Sequence, residues 1–159
     1  MNRQLSQSSI ATANGRATRL WWQLGITTAV IANLIVYALA VGFADIPLRI
    51  TAGPGSSELV DLTAGPVILM SVLPALLATL LAAGLAKWTS APGRWFTVIA
   101  AGLLVLSMVP VLALDISTGA KLSLELMHLV AAVVIVGLLA PRLAAVEAAG
   151  RQYSDVTSL

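Results

Sequence analysis

The stretch LWWQLGITTAVIANLIVYALAVGFA, residues 20–44, contains no charged side chain and decides the class of fold. An α-helix rises about 1.5 Å per residue, so about 20 apolar residues cross the hydrocarbon core of a bilayer. This stretch exceeds that length and predicts a membrane-spanning helix. The alternative is a signal peptide cleaved after Gly42-Phe43-Ala44, but the apolar run is much longer than the apolar region of a signal peptide.

Three further apolar stretches follow at about residues 64–86, 95–114 and 122–143, with charged residues only near their ends. Hydrophobic residues make up 58% of the chain and charged residues 10%, and the mean hydropathy is +0.94. So few polar side chains cannot cover a water-soluble globule of 159 residues. Backbone exposed to lipid must be hydrogen-bonded internally, and the stretches are too long for barrel strands. We therefore predict an all-α integral membrane protein, a four-helix bundle over residues 20–143.

The basic residues are distributed unequally between the two sides of this four-span arrangement. Arg49 and Lys121 lie on one side. The other side carries Arg3, Arg16, Arg19, Lys87, Arg94, Arg142 and Arg151. Because Lys and Arg are enriched in cytoplasmic segments, both termini are predicted to be cytoplasmic, in a multi-pass protein of the inner, or plasma, membrane. The tryptophans agree, since all of them flank the spans at that same interface: Trp21, Trp22, Trp88 and Trp95.

The segments outside the spans are short. Residues 1–19 are rich in Ser, Gln, Asn and Thr without apolar periodicity, which predicts a disordered cytoplasmic tail. Residues 144–159 are predicted to form a second cytoplasmic tail, in which residues 144–149 can extend the last helix by one or two turns. The longest loop, residues 45–63, contains Pro47 and a turn-forming run at residues 53–57. We interpret it as a connection between helices, with a lid as the alternative.

The second span carries small residues at helical spacing. Ser71, Ala75, Thr79 and Ala83 are four residues apart, beside a second ridge of Ala78, Ala82 and Ala86. Such faces allow a neighbouring helix to approach closely. The second and third spans also contain Pro74 and Pro110, each three residues after a serine, and each proline frees the carbonyl of Met70 or Leu106. We expect Ser71 and Ser107 to help satisfy this disturbed backbone.

Every span can contribute a polar group at nearly the same depth, in its outer half or near its middle. Intramembrane ionisable residues usually face the protein interior or water, so the histidine and glutamate are placed inward. The sequence thus predicts a ligand-binding pocket in the outer half of the bundle, lined by Asn33, Tyr37, Ser71, Ser107, Glu125 and His128. The alternative is that these side chains only join the helices by hydrogen bonds, each worth about 0.6 kcal/mol on average.

Several classes of function are excluded by what the chain lacks. It has no cysteine and one histidine, which excludes disulfide scaffolds, Cys-ligated zinc and iron–sulfur clusters. Glu125-Leu126-Met127-His128 matches one Glu-x-x-His pair of a di-iron bundle, but the second pair and the further glutamates are absent. The basic residues form no run that would indicate nucleic-acid binding. We predict no cofactor, no metal and no catalytic residue; an acid–base pair of His128 and Glu125 acting on a lipid headgroup is the enzymatic alternative.

Three short segments carry a resemblance to a known family: Ala32-Asn33-Leu34-Ile35-Val36, Leu106-Ser107-Met108 and Leu124-Glu125-Leu126-Met127-His128-Leu129. With the four-span layout and the Pro-Gly loop, the chain over about residues 20–143 resembles an uncharacterised bacterial family of small four-helix integral membrane proteins, a domain of unknown function. The resemblance implies a four-helix membrane bundle. It assigns no activity to the chain. Small multidrug transporters look different, because their glutamate lies in the first helix, where this chain has Asn33.

The function predicted from these features is the binding or passage of a lipid-like or small amphipathic molecule through the outer-half pocket. His128 would be the proton-sensitive contact, Asn33, Tyr37 and Ser107 would orient the molecule, and Glu125 would lie at the mouth. The alternative is an interaction or scaffold subunit, in which the small-residue face of the second span binds another membrane protein or a second copy of the chain. In either case we predict that the spans are embedded in the lipid bilayer and contact it.

Overall fold

Four helices, all long and apolar enough to cross a membrane, make up the bundle. The structure is a computed structural model that describes residues 23–53 and 56–157. Helix α1 covers Gln23–Gly42, α2 Ala64–Trp88, α3 Pro92–Ala113 and α4 Thr118–Thr157. The predicted all-α membrane architecture is confirmed. The tail predicted at residues 1–19 and two of the four tryptophans, Trp21 and Trp22, lie outside the described residues.

The helix ends differ from the apolar stretches for local reasons. Helix α3 begins three residues before the stretch predicted from residue 95, because Pro92 needs no backbone N–H in the first turn. Helix α4 begins at Thr118, where the Ser117 hydroxyl accepts a hydrogen bond from the Ala120 N–H at 3.2 Å. It continues to Thr157, well beyond the one or two extra turns predicted after residue 143. The segment just after that residue contains good helix formers, with four alanines, Glu147, Arg151 and Gln152.

The long loop between α1 and α2 contains a β-hairpin. Strands β1 (Arg49–Thr51) and β2 (Leu59–Asp61) are antiparallel, with Ile50 opposite Val60. Leu48 and Leu62, which flank the strands, are buried against the helices. The loop is therefore a structured cap on one end of the bundle, called the hairpin end below. The opposite end, marked by Trp88 and Trp95, is called the tryptophan end.

The interior consists of two apolar clusters, one toward each end. The cluster toward the tryptophan end contains Ala29, Ala75, Ala82, Phe96, Ile135 and Leu143. The cluster toward the hairpin end contains Ala40, Leu48, Leu62, Val67, Ala120 and Met127. Large side chains such as Leu80 and Val105 point outward and are exposed, as expected of a surface that faces lipid tails. All four helices contribute to this thin core, and the hairpin seals one end of it.

Helices α3 and α4 approach each other closely at the tryptophan end. A Cβ atom at Gly93 would lie 3.1 Å from the backbone nitrogen of Ala144 and 3.4 Å from the carbonyl oxygen of Ala140. At the other end of the pair, Lys121 Nζ donates to the carbonyl oxygen of Leu112 at 3.1 Å. The two contacts define an antiparallel pair in which Ser107 lies at about the level of His128.

The two serines near the internal prolines do not bind the carbonyls that the prolines release. The Ser71 hydroxyl donates to the carbonyl oxygen of Val67 at 2.7 Å, and the Ser107 hydroxyl donates to that of Leu104 at 2.7 Å. The expectation that they would satisfy the carbonyls of Met70 and Leu106 is therefore wrong. Both serines lie on buried or half-buried faces, whereas Met70 and Leu106 lie on the exposed side of their helices.

Candidate functional site

Asn33 of α1 is joined to Ser71 of α2 inside the bundle. Asn33 Nδ2 donates to Ser71 Oγ at 2.9 Å, and both side chains are buried. The Ser71 hydroxyl uses its own proton for Val67, so it can only accept from Asn33, which fixes the orientation of the amide. Asn33 Oδ1 is therefore the free end of the amide. It is buried and has no hydrogen-bond partner.

Tyr37 lies one turn further along α1 and binds the chain that follows the hairpin. Its hydroxyl donates to the carbonyl oxygen of Leu62 at 3.0 Å. The phenolic proton is thus engaged, and only the oxygen lone pairs remain for another group. Tyr37 holds the hairpin against α1 and packs within the cluster toward the hairpin end.

Glu125 of α4 carries the most unusual environment among the predicted site residues. Both of its carboxylate oxygens are buried, and neither has a hydrogen-bond partner. Lys121, one turn earlier in α4, donates to the carbonyl oxygen of Leu112 rather than to Glu125. Native structures contain few buried polar atoms without a partner, and a buried charge without one costs several kcal/mol in order of magnitude.

His128 lies one turn beyond Glu125 and is half-buried. Its Nδ1 is 2.7 Å from the carbonyl oxygen of Leu124. A carbonyl oxygen can only accept, so Nδ1 carries a proton, and in the neutral form of the ring Nε2 is an acceptor. Among the described residues no group donates a hydrogen bond to Nε2. In that form His128 is a third residue with a free acceptor, after Asn33 and Glu125.

The predicted site residues are brought together only in part. Asn33 and Ser71 are in direct contact, Glu125 and His128 are one turn apart on α4, and Ser107 lies on the half-buried face of α3. The two best-defined cavities in the described part of the chain do not reach these side chains. One, of about 610 Å³, lies between α3 and α4 at the tryptophan end. The other, of about 10 Å³, lies near Thr79. The structure therefore gives no support for a preformed pocket around the predicted site residues.

Most of the small-residue face of α2 is occupied within the chain itself. Ser71, Ala75, Thr79 and Ala82 are buried against other helices, whereas Ala83 and Ala86 are exposed. Most of the face that the scaffold alternative would use for a partner is therefore covered, and Ala83 and Ala86 remain exposed. Over the described residues, no group of three or more His, Asp and Glu side chains is placed to hold a metal ion.

The Asn33–Ser71 hydrogen bond leads to a stability prediction. Ser71→Ala removes the acceptor and leaves the Asn33 amide N–H buried, so we expect the free energy of unfolding to fall by about 1 kcal/mol. Ser107→Ala is the matched control, because that hydroxyl binds only its own helix. The measurement is unfolding in mixed micelles with increasing dodecyl sulfate, followed by circular dichroism. Equal losses for the two variants would show that the interhelical bond contributes nothing.

The sequence did not single out the groove of about 610 Å³ between α3 and α4. Its lining includes Gly93, Arg94 and Gly137. A glycine on each of two neighbouring spans was a usable signal, because glycines leave space where other residues would place side chains.

Comparison with known families gives one match. A family model described as a family of unknown function (DUF6069) matches residues 13–145. No curated protein and no solved structure matches the chain. The chain belongs to this family of unknown function, as its resemblance to an uncharacterised four-helix membrane family implied.

Proposed function

We propose that this DUF6069 member binds a small amphipathic molecule that carries N–H or O–H donors, at the polar residues toward the hairpin end. The observation that carries the proposal is the set of buried acceptor atoms without a donor, namely both carboxylate oxygens of Glu125 and Oδ1 of Asn33. The acceptor Nε2 of His128 adds to the set. A molecule with an ammonium or hydroxyl group supplies the donors that the chain itself does not.

In its ionised form, the Glu125 carboxylate favours an ammonium group over a hydroxyl group. An ammonium group carries three donors and a positive charge, so it can bind both oxygens of a carboxylate and offset the cost of burying it. Asn33 Oδ1 and His128 Nε2 orient the bound head through further hydrogen bonds. Ser71 and Tyr37 position the acceptors indirectly, the first by holding the Asn33 amide and the second by anchoring the hairpin.

The proposed orientation in the membrane determines from which side the molecule enters. Lys87, Arg94 and Arg142 lie at the tryptophan end, and Arg49 and Lys121 lie at the hairpin end. With the basic tails added, the excess of positive charge supports a cytoplasmic tryptophan end. The hairpin end then faces the outside of the cell membrane, and the molecule reaches Glu125 from the outer leaflet. Ser107, on the half-buried face of α3, contributes an oxygen at the same depth.

The test compares three molecules with the same C12 chain: dodecylamine, dodecanol and dodecyltrimethylammonium. The second lacks the charge, and the third keeps the charge but has no N–H donor. We expect dodecylamine to raise the thermal unfolding midpoint of the purified protein in maltoside micelles most strongly. Glu125→Gln should weaken dodecylamine binding by about tenfold, the size expected for one charge-assisted hydrogen bond.

Glu58→Gln is the control, because Glu58 is an exposed acid of the hairpin loop and should bind dodecylamine as the wild type does. A dodecyltrimethylammonium response as large as that of dodecylamine would contradict the requirement for donors. A wild-type response in Glu125→Gln would contradict the proposed site.

A further inference from the structure

The groove at the tryptophan end lies between the first turns of α3 and the middle of α4. It has a volume of about 610 Å³ and is open along one side. Its walls are mainly apolar, with Val98 from α3 and Val136 and Ala140 from α4. It lies at the opposite end of the bundle from Glu125 and His128, and nothing in the proposed function uses it.

Two glycines produce the groove. Gly93 brings the backbones of α3 and α4 together at one point, where its missing side chain lets Ala144 approach. Gly137 lies beside that contact, and a Cβ atom added there would meet no atom within 4 Å. The helices therefore touch at Gly93 and leave a shallow, open groove at Gly137. A groove with apolar walls between two spanning helices is accessible to a hydrocarbon chain from the bilayer.

Arg94 gives the groove a positive charge at the level of the lipid headgroups. It lies in the first turn of α3, is exposed, and forms no hydrogen bond or ion pair with any described residue. Its neighbour Trp95 is 53% exposed and Trp88 is 78% exposed, and exposed tryptophans concentrate at the interface between water and lipid. Glu147 also lines the groove, but it already has an interaction of its own.

We propose that this groove binds one anionic phospholipid. The guanidinium of Arg94 binds the lipid phosphate, and one acyl chain lies along the groove past Val98 and over Gly137. Basic sites between spanning helices at the membrane interface are suited to anionic headgroups, and Arg binds phosphate through paired N–H donors. A water-soluble phosphate compound would leave the apolar walls uncovered. The apolar walls therefore favour a lipid, whose acyl chain covers them. This site does not depend on the proposed amine site.

The experiment is native mass spectrometry of the purified protein in mild detergent, with equal amounts of dioleoylphosphatidylglycerol and dioleoylphosphatidylcholine. We expect the wild type to retain the anionic lipid in preference to the zwitterionic one. Arg94→Gln should reduce that preference by about tenfold, and Gly137→Leu should reduce retention of both lipids because its side chain fills the groove.

Each variant has a matched control. Lys87→Gln removes an exposed positive charge at the same end but outside the groove, and Gly102→Leu adds the same side chain at an open position on the exposed side of α3. Both should retain lipid as the wild type does, with unchanged circular dichroism spectra for all four variants. Wild-type protein without a preference for the anionic lipid overturns the proposal. A preference that survives Arg94→Gln, or retention that survives Gly137→Leu, overturns it as well.

Discussion

Gly93→Leu is expected to lower the free energy of unfolding by about 2 to 3 kcal/mol, within the range for overpacking a close contact. The reason is that the new side chain meets backbone atoms of α4, at 3.1 Å from the Ala144 nitrogen, and not the flexible end of another side chain. Helices α3 and α4 must therefore separate at this close contact. The nearby side chain of Phe96, fully buried in the cluster at this end, would lose contacts as they move.

The measurement is unfolding of purified protein in mixed micelles with increasing dodecyl sulfate, followed by circular dichroism. Gly102→Leu is the control, because a Cβ atom there meets nothing within 4 Å and the residue lies on the exposed side of α3. Removing a helical glycine should leave that variant as stable as the wild type or slightly more stable. If Gly93→Leu behaves like Gly102→Leu, the close approach of α3 and α4 does not exist.

Glu125→Leu is expected to have the opposite sign and raise the free energy of unfolding by about 1 to 3 kcal/mol. Replacing buried charged groups by apolar ones of similar volume is often neutral or stabilising. In the wild type both carboxylate oxygens of Glu125 lack a partner, so the substitution removes a cost without breaking a hydrogen bond. The same variant should no longer respond to dodecylamine, because the acceptor for the ammonium group is gone.

Stability gained together with binding lost distinguishes a functional group from a structural one. Glu58→Leu, in the exposed hairpin loop, is the control and should change stability by less than about 0.5 kcal/mol. The measurements are the same dodecyl sulfate unfolding and the dodecylamine-induced change in midpoint. A Glu125→Leu variant less stable than the wild type would mean that Glu125 holds the helices together, which is the structural alternative.

The helices could be predicted because the membrane constrains sequence strongly. A span needs about 20 apolar residues, so each helix can be recognised in the sequence as an uncharged apolar run. The ends were less predictable, since helix α4 continues through polar residues to Thr157 once outside the apolar run. The β-hairpin was missed because its strands are only 3 residues each, too short for an alternating pattern to stand out.

The hydrogen-bond partners of the polar residues could be predicted only in part. Depth along each helix can be counted from the sequence, and this placed Asn33 and Ser71 at a similar level, where they form a hydrogen bond. Which carbonyl a serine binds depends on its rotamer and on which side of the helix is buried, and there the expectation failed. That the Glu125 carboxylate has no partner depends on the direction of Lys121, which binds a carbonyl of α3 instead. The position of Lys121 in the sequence does not show which of these two groups its side chain binds.

The most direct test of the account observes the Glu125 carboxyl group itself. Infrared difference spectra of the purified protein would be recorded with and without dodecylamine, for the wild type and for Glu125→Gln. We expect a change in the carboxyl bands of the wild type when the ammonium group binds, and no such change in the variant. Identical difference spectra for the two proteins would contradict it, because the buried carboxylate oxygens of Glu125 would then not bind the amine.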